Sequence, residues 1–122
     1  MHQYIQACAP SVSQKAAYAA LTGPSDSIDV MVHEFRNRRD LILKQLDGIA
    51  DCVIPQGAFY VFPRFHIRDT SLDLAARFAQ AGVIVVPGST FGEYGEGYIR
   101  ISYAASQENI CRALSIIQEQ LS

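Results

Sequence analysis

Several residue types and sequence features are scarce or missing in this chain of 122 residues. Its three cysteines, Cys8, Cys52 and Cys111, form no C-x-x-C pair, which favours buried or idle thiols over disulfide or metal roles. The net charge of −2 provides no basic excess for neutralising phosphates, so we expect no nucleic-acid partner. Neither a signal peptide nor an apolar run of about 18 residues is present, so we expect a cytoplasmic protein without a membrane partner.

Lysine and histidine offer little chemistry in this sequence. The only lysines, Lys15 and Lys44, fall in predicted helices among polar neighbours, without the apolar pocket that activates a lysine for Schiff-base chemistry. His2, His33 and His66 lie on three different predicted elements and lack the spacing of metal ligands. We therefore predict neither a catalytic residue nor a metal site in this chain.

Hydrophobic periodicity predicts four helices. They run from Ser11 or Ser13 to Leu21, from Ser25 or Asp26 to about Leu46, from a Thr70 cap to Gly82, and from a Ser106 cap towards Leu121. Residues 1–48 are thus predicted to be mainly helical, and Val12, Ala16 and Ala20 are expected to form the packed side of the first helix.

Four short apolar segments predict strands, at Cys52–Ile54, Ala58–Phe62, Val83–Val86 and Tyr98–Ser102. The four β-branched residues of Val83–Val86 predict a strand that is buried on both faces. The resulting fold class is α+β, with a small mixed or antiparallel sheet and helices packed on one face. We expect residues 1–122 to form a single domain.

The segment 87–97 contains four glycines and invites a phosphate-loop interpretation. Its spacing matches neither G-x-x-x-x-G-K-[ST] nor G-x-G-x-x-G, and a strand follows where a helix N-terminus is required. We therefore predict a tight connector whose glycines let the backbone approach a neighbouring surface. Glu93 and Glu96 in this segment are interpreted as a solvated rim and not as a catalytic pair.

Arg100 is the one polar side chain whose position looks specified. Alternation directs Ile99 and Ile101 to one face of the last predicted strand and Arg100 to the other. From the residues alone, Arg100 is either a solvated strand residue or a carboxylate-binding group, since a planar guanidinium matches a carboxylate with two parallel donors.

Five motifs occur together, and in order, that resemble one family. They are SQKAAYAALTGP (13–24), MVHEFRNRRD (31–40), QGAFYVFPRF (56–65), AGVIVVPGSTFG (81–92) and GEGYIRISYA (95–104). The set resembles the C-terminal part of pyridoxal-phosphate-dependent aminotransferases of class I and II, in the aspartate aminotransferase superfamily. The resemblance covers nearly the whole chain.

This resemblance implies that the chain is the small domain of an aminotransferase of amino acid metabolism, about its last third, and is inactive alone. Arg100 matches the family's arginine for the substrate α-carboxylate. The resemblance also implies an upstream large domain that binds pyridoxal 5'-phosphate, an amino acid and 2-oxo acid as substrates, and a homodimeric parent. The family's Schiff-base lysine and cofactor contacts lie outside this sequence, and Lys15 does not match that lysine.

Two alternatives stay open at this point. One is a free-standing module that binds a small ligand or a protein, and the other is a domain of a related pyridoxal-phosphate lyase or synthase. The sequence does not identify the amino acid donor. An isolated small domain should also expose apolar surface around Phe91 and the first helix, so we expect it to self-associate.

Overall fold

The computed structural model describes residues 8–122, which fall into two compact units, one that ends at Val32 and one formed by His33–Ser122. The first unit contains helix α1 (Ser11–Thr22) and the beginning of helix α2 (Asp26–Leu46). No residue of α1 is buried, so the packed side predicted for this helix is wrong. Most of that predicted side is alanine, whose small side chain gains little free energy from burial.

The second unit contains the rest of α2 and all the strands of the described chain. In chain order its further elements are β1 (Ala50–Asp51), β2 (Tyr60–Val61), β3 (Arg64–Phe65), α3 (Ser71–Gln80), β4 (Val86–Pro87), β5 (Ile99–Ser102) and α4 (Gln107–Leu121). Two short 3-10 helices, Gly88–Phe91 and Glu93–Gly95, connect β4 to β5. None of the described helices is both long and apolar enough to cross a membrane.

Two small sheets account for these strands. The larger has three strands in the order β2-β5-β4, and both pairs are antiparallel. The smaller consists of β1 and β3, also antiparallel. The predicted α+β class with a small antiparallel sheet is therefore confirmed.

The core lies where the helices of the second unit meet one face of the larger sheet. Val61, Ile99 and Ile101 supply the buried face of the sheet. The helices contribute apolar side chains at helical spacing: Ile42 and Leu46 from α2, Leu74 and Phe78 from α3, and Ile110, Leu114 and Ile117 from α4. This arrangement has helices on one face of the sheet, as the sequence predicts.

The helix caps follow the local sequence signals. The Thr70 side chain accepts a hydrogen bond from the backbone N–H of Asp73, and that of Ser106 accepts one from Asn109. Each cap satisfies one of the backbone donors that a helix leaves free in its first turn. Glu34 and Arg38, four residues apart on α2, form a salt bridge in which Arg38 Nε lies 2.7 Å from Glu34 Oε1.

Two of the predicted strands are misplaced. Cys52–Ile54 forms no strand, because the ladder with β3 ends at Asp51, and Val53 is 88% exposed. In Val83–Val86 only Val86 joins the sheet, and Ile84 is 83% exposed, so burial on both faces is wrong. β4 is an edge strand of an antiparallel sheet, which buries one face only.

The strand predicted at Ala58–Phe62 is shorter than expected, since its ladder begins at Tyr60. Ala58 has a φ of 59°, in the left-handed region that no strand residue adopts. The hydroxyl of the buried Tyr103 donates a hydrogen bond to the carbonyl of Ala58 at 3.1 Å. Burial raises the pKa of Tyr103 above its ordinary value.

The segment between β4 and β5 folds back on itself through two glycines. A Cβ on Gly88 would lie 2.1 Å from the carbonyl oxygen of Gly95, and a Cβ on Gly95 would lie 2.0 Å from that of Gly88. Such distances are well inside van der Waals contact, so only glycine fits either position without a backbone shift. The predicted tight connector is confirmed. Its backbone, however, approaches another part of the same segment and not a neighbouring surface.

Replacing Gly95 by alanine should therefore destabilise the chain by about 1–3 kcal/mol, the usual cost of overpacking a buried site. Gly57→Ala is the matched control, because nothing lies within 4 Å of the added Cβ and its φ is not positive. That variant should be neutral or slightly stabilising, since it restricts the unfolded chain. Urea denaturation measures both changes, and equal midpoints for the two variants would contradict the close-approach explanation.

Candidate functional site

The face of the larger sheet that points away from the core is rich in aromatic and cationic side chains. Backbone hydrogen bonds continue the β2–β5 ladder on both sides, from Tyr103 N–H to Phe59 and from Ile99 N–H to Pro63, and Arg64 forms a bridge with Tyr98. The side chains that alternate with the buried ones form a surface that we call the open face. Its members are Tyr60, Phe62, Arg64, Tyr98, Arg100 and Ser102.

Arg100 lies near the centre of the open face and is half-buried. Its neighbours along β5, Ile99 and Ile101, are 0% and 8% exposed, and their burial leaves the Arg100 side chain only the opposite direction. The sequence prediction that these isoleucines face the core and the arginine faces away is confirmed.

Two aromatic rings flank the Arg100 guanidinium. Its Cζ lies 4.6 Å from the centroid of the Tyr60 ring and 4.8 Å from that of the Phe91 ring. The first ring comes from the neighbouring strand β2, and the second from the 3-10 helix that follows β4. Contacts of this kind stabilise a cation by about 0.5–2 kcal/mol each and restrict its orientation.

The hydrogen-bond donors of Arg100 stay available in this environment. No carboxylate within residues 8–122 forms an ion pair with Arg100. Within the same residues no side-chain hydrogen bond involves Arg100, and the residue is partly exposed. Aromatic rings compete weakly for N–H groups, and the fork can still bind an oxyanion.

Apart from Ser102, the rest of the open face is aromatic or cationic. Phe62 stacks on Tyr98 with ring centroids 5.1 Å apart and meets Phe91 edge-on at 5.9 Å. The guanidinium of Arg64 lies over the Tyr98 ring at 5.9 Å. The open face therefore contains two cations and no acid, which favours an anionic ligand with an apolar part.

Glu96 is exposed, as the sequence predicts for a rim residue, but it also has a structural role that the sequence does not predict. Its carboxylate accepts the backbone N–H of Ser71 at 2.7 Å and the Ser71 hydroxyl at 3.0 Å. Hydrogen bonds from the backbone and hydroxyl of Ser71 lower the pKa of Glu96, against burial and the nearby Asp73, which raise it. The contact between Ser71 and Glu96 joins residues 25 positions apart, so no local sequence pattern predicts it.

The remaining sequence candidates do not come together. Lys15 and Lys44 are exposed, and His66 pairs at the surface with Asp51, 3.2 Å away. His2 lies outside the described residues. No group of three metal-ligating side chains exists within residues 8–122, and the three cysteines are free thiols.

The residues that the structure describes do not fit a pyridoxal phosphate site. Such a site needs a lysine in an apolar pocket and a cradle of backbone N–H groups for the phosphate. Both lysines are exposed on helices, and the glycine segment closes on itself through Gly88 and Gly95. What the open face presents is the guanidinium of Arg100, a planar donor set whose geometry matches a carboxylate.

The known proteins that this chain resembles are aminotransferases. The model of the family described as aminotransferase class I and II matches residues 2–117. A probable aspartate aminotransferase of Methanocaldococcus jannaschii is 44% identical over 119 residues, which cover 98% of this chain and 32% of that protein. A probable N-acetyl-LL-diaminopimelate aminotransferase of Bacillus subtilis is 40% identical and is covered to 31%.

Solved structures agree with these matches. The alanine aminotransferase from Pyrococcus furiosus superposes with a TM-score of 0.90 at 32% identity, over 97% of this chain and 31% of that one. The chain thus spans about a third of the length of the relatives that it matches.

Proposed function

Because this chain belongs to the class I and II aminotransferases, we propose that it is the C-terminal small domain of a pyridoxal-phosphate-dependent enzyme of this family. The intact enzyme transfers an amino group between an amino acid and a 2-oxo acid, and Arg100 binds the α-carboxylate of both. The observation that carries this proposal is the guanidinium of Arg100, which lies near the rings of Tyr60 and Phe91 and has no ion-pair partner within residues 8–122.

Arg100 acts by positioning and not by proton transfer. A guanidinium stays protonated at any physiological pH, so it cannot serve as a general base. Its two parallel donors fix both oxygens of a carboxylate, and this sets the orientation of the α-carbon of the substrate. Correct orientation of bound reactants accounts for a large part of enzymatic rate enhancement.

The open face requires a second surface to complete the site. Phe62 of the open face and the adjacent Phe91 are 36% and 53% exposed, as expected of apolar groups that another part of the same protein covers. In this proposal an upstream large domain supplies the cofactor, the Schiff-base lysine and the opposite wall of the substrate cleft. The parent is proposed to be a cytoplasmic homodimer, and residues 1–122 to be one domain of it.

The names of the relatives point to different amino acids. One relative is named for aspartate, one for N-acetyl-LL-diaminopimelate and one for alanine. We propose an aspartate-like donor, and a screen of amino donors with the full-length protein decides among them. Elimination without amino transfer in that screen would indicate a related lyase.

Substituting Arg100 by lysine in the full-length enzyme should raise KM for the amino donor and lower kcat/KM by about tenfold or more, because a point charge replaces the two-pronged donor set. Arg112→Lys is the matched control, since Arg112 lies on α4 and bonds only to Asn109 within the described chain. Steady-state kinetics with L-aspartate and 2-oxoglutarate measure both variants. Unchanged kinetics in Arg100→Lys would remove this residue from the substrate site.

The 122-residue chain alone should be inactive, because its lysines are not placed to hold the cofactor. Added pyridoxal phosphate should produce no absorbance band of a protein-bound cofactor, and L-aspartate with 2-oxoglutarate should give no product. Transamination by the purified chain would contradict the proposal that an upstream large domain supplies the cofactor and the Schiff-base lysine.

A further inference from the structure

Ser71, the first residue of α3, joins the helix to the segment between β4 and β5. It is 0% exposed, and both its backbone N–H and its hydroxyl contact the carboxylate of Glu96. Its oxygen also lies 3.0 Å from the Ser89 hydroxyl and 3.3 Å from the Ser89 backbone nitrogen. Because a carboxylate only accepts, the Ser71 hydroxyl donates to Glu96 and accepts from Ser89.

These hydrogen bonds hold the segment between β4 and β5 at two positions, one on each side of Phe91 in the sequence. Ser89 lies two positions before Phe91, and Glu96 lies five positions after it. Gly88 and Gly95, each next to one of these anchors in the chain, contact each other backbone to backbone and hold the two ends of the segment together. The position of the Phe91 ring is therefore tied to the N-terminus of α3.

Phe91 is also the ring that lies 4.8 Å from Cζ of Arg100. We propose that Glu96 is a positioning residue for substrate binding, which acts through Ser71, the 88–96 segment and Phe91 to fix the Arg100 guanidinium for a carboxylate. The inference rests on the proposed function of Arg100 as the carboxylate-binding residue. The carboxylate of Glu96 bonds to Ser71 and forms no ion pair with Arg100 within residues 8–122.

The chemistry of the anchor explains why a carboxylate suits this position. The N-terminus of a helix carries a partial positive charge, which favours an anion there. The two oxygens of Glu96 also accept two separate donors from one residue, and alanine can accept neither. A glutamine at position 96 can accept the Ser71 N–H through its amide oxygen and donate its amide N–H to the Ser71 hydroxyl oxygen. The Ser71 hydroxyl proton is then donated to Ser89, so Glu96→Gln should keep most of these hydrogen bonds.

The direct test follows the Nε–H resonance of Arg100 in the full-length protein, assigned through its loss in Arg100→Lys. Ring currents of Phe91 and Tyr60 displace this resonance from that of a solvated arginine. Phe91→Ala and Glu96→Ala should both move it in the same direction, towards the solvated value, while Glu96→Gln should restore most of the displacement. Glu93→Ala is the control, because Glu93 is exposed on the same segment and its side chain forms no hydrogen bond within residues 8–122.

An unmoved Arg100 resonance in Glu96→Ala would overturn the inference. If Glu96→Ala does not fold, Ser89→Ala replaces it, since this variant removes one hydroxyl of the same chain of hydrogen bonds. That variant should move the resonance in the same direction by a smaller amount, and no movement would again overturn the inference.

Kinetics supply the second test. Glu96→Ala should raise KM for L-aspartate about threefold to tenfold, the equivalent of one cation–π contact, with a smaller change in kcat. Combined with Phe91→Ala, it should add little, because both changes act on one contact. Fully additive losses would contradict the route through Phe91.

The two proposals fail in different ways. A full-length protein that transaminates no amino acid would overturn the proposed function, while the resonance test of Glu96 still applies. A transaminase that is impaired by Arg100→Lys but indifferent to Glu96→Ala would overturn only the role of Glu96.

Discussion

The burial of two isoleucines on one side of β5 is the constraint on which the candidate site depends. Ile99 and Ile101 are 0% and 8% exposed, and a strand that buries these positions must direct the residue between them the other way. A slip of one residue in the pairing would exchange the faces and bury the guanidinium, at a cost of several kcal/mol. The hydrophobic core thus fixes the direction of Arg100 before any ligand is present.

The second constraint acts on the rings around that guanidinium. Tyr60 belongs to β2, so the sheet positions it, whereas Phe91 belongs to a connecting segment that needs its own support. That support comes from backbone contact between two glycines and from the hydrogen bonds of Ser71. The relatives of this chain are about three times as long as it is.

Local signals in the sequence predict the parts of this fold that local forces determine. The capping threonine and serine at 70 and 106, the alternation of β5 and the close approach at Gly88 depend on neighbours a few residues away. The ends of β1 and β4 depend on where the partner strand can pair with them across the sheet. The sequence therefore predicts the wrong strand bounds at Cys52–Ile54 and Val83–Val86. The direction of Arg100 was predictable, but its aromatic neighbours and the Glu96 anchor were not, because those contacts join distant segments. For Arg100 the residues alone leave open a solvated side chain and a carboxylate-binding group, and the family resemblance favours the second.

The most direct measurement of the central claim is a crystal structure of the full-length protein with an amino acid or 2-oxo acid bound. Our account predicts that both oxygens of the ligand α-carboxylate lie about 3 Å from nitrogens of Arg100, with Tyr60 and Phe91 still beside the guanidinium. A carboxylate bound by another cation, with Arg100 turned to solvent or paired with an acid of the protein, would contradict it.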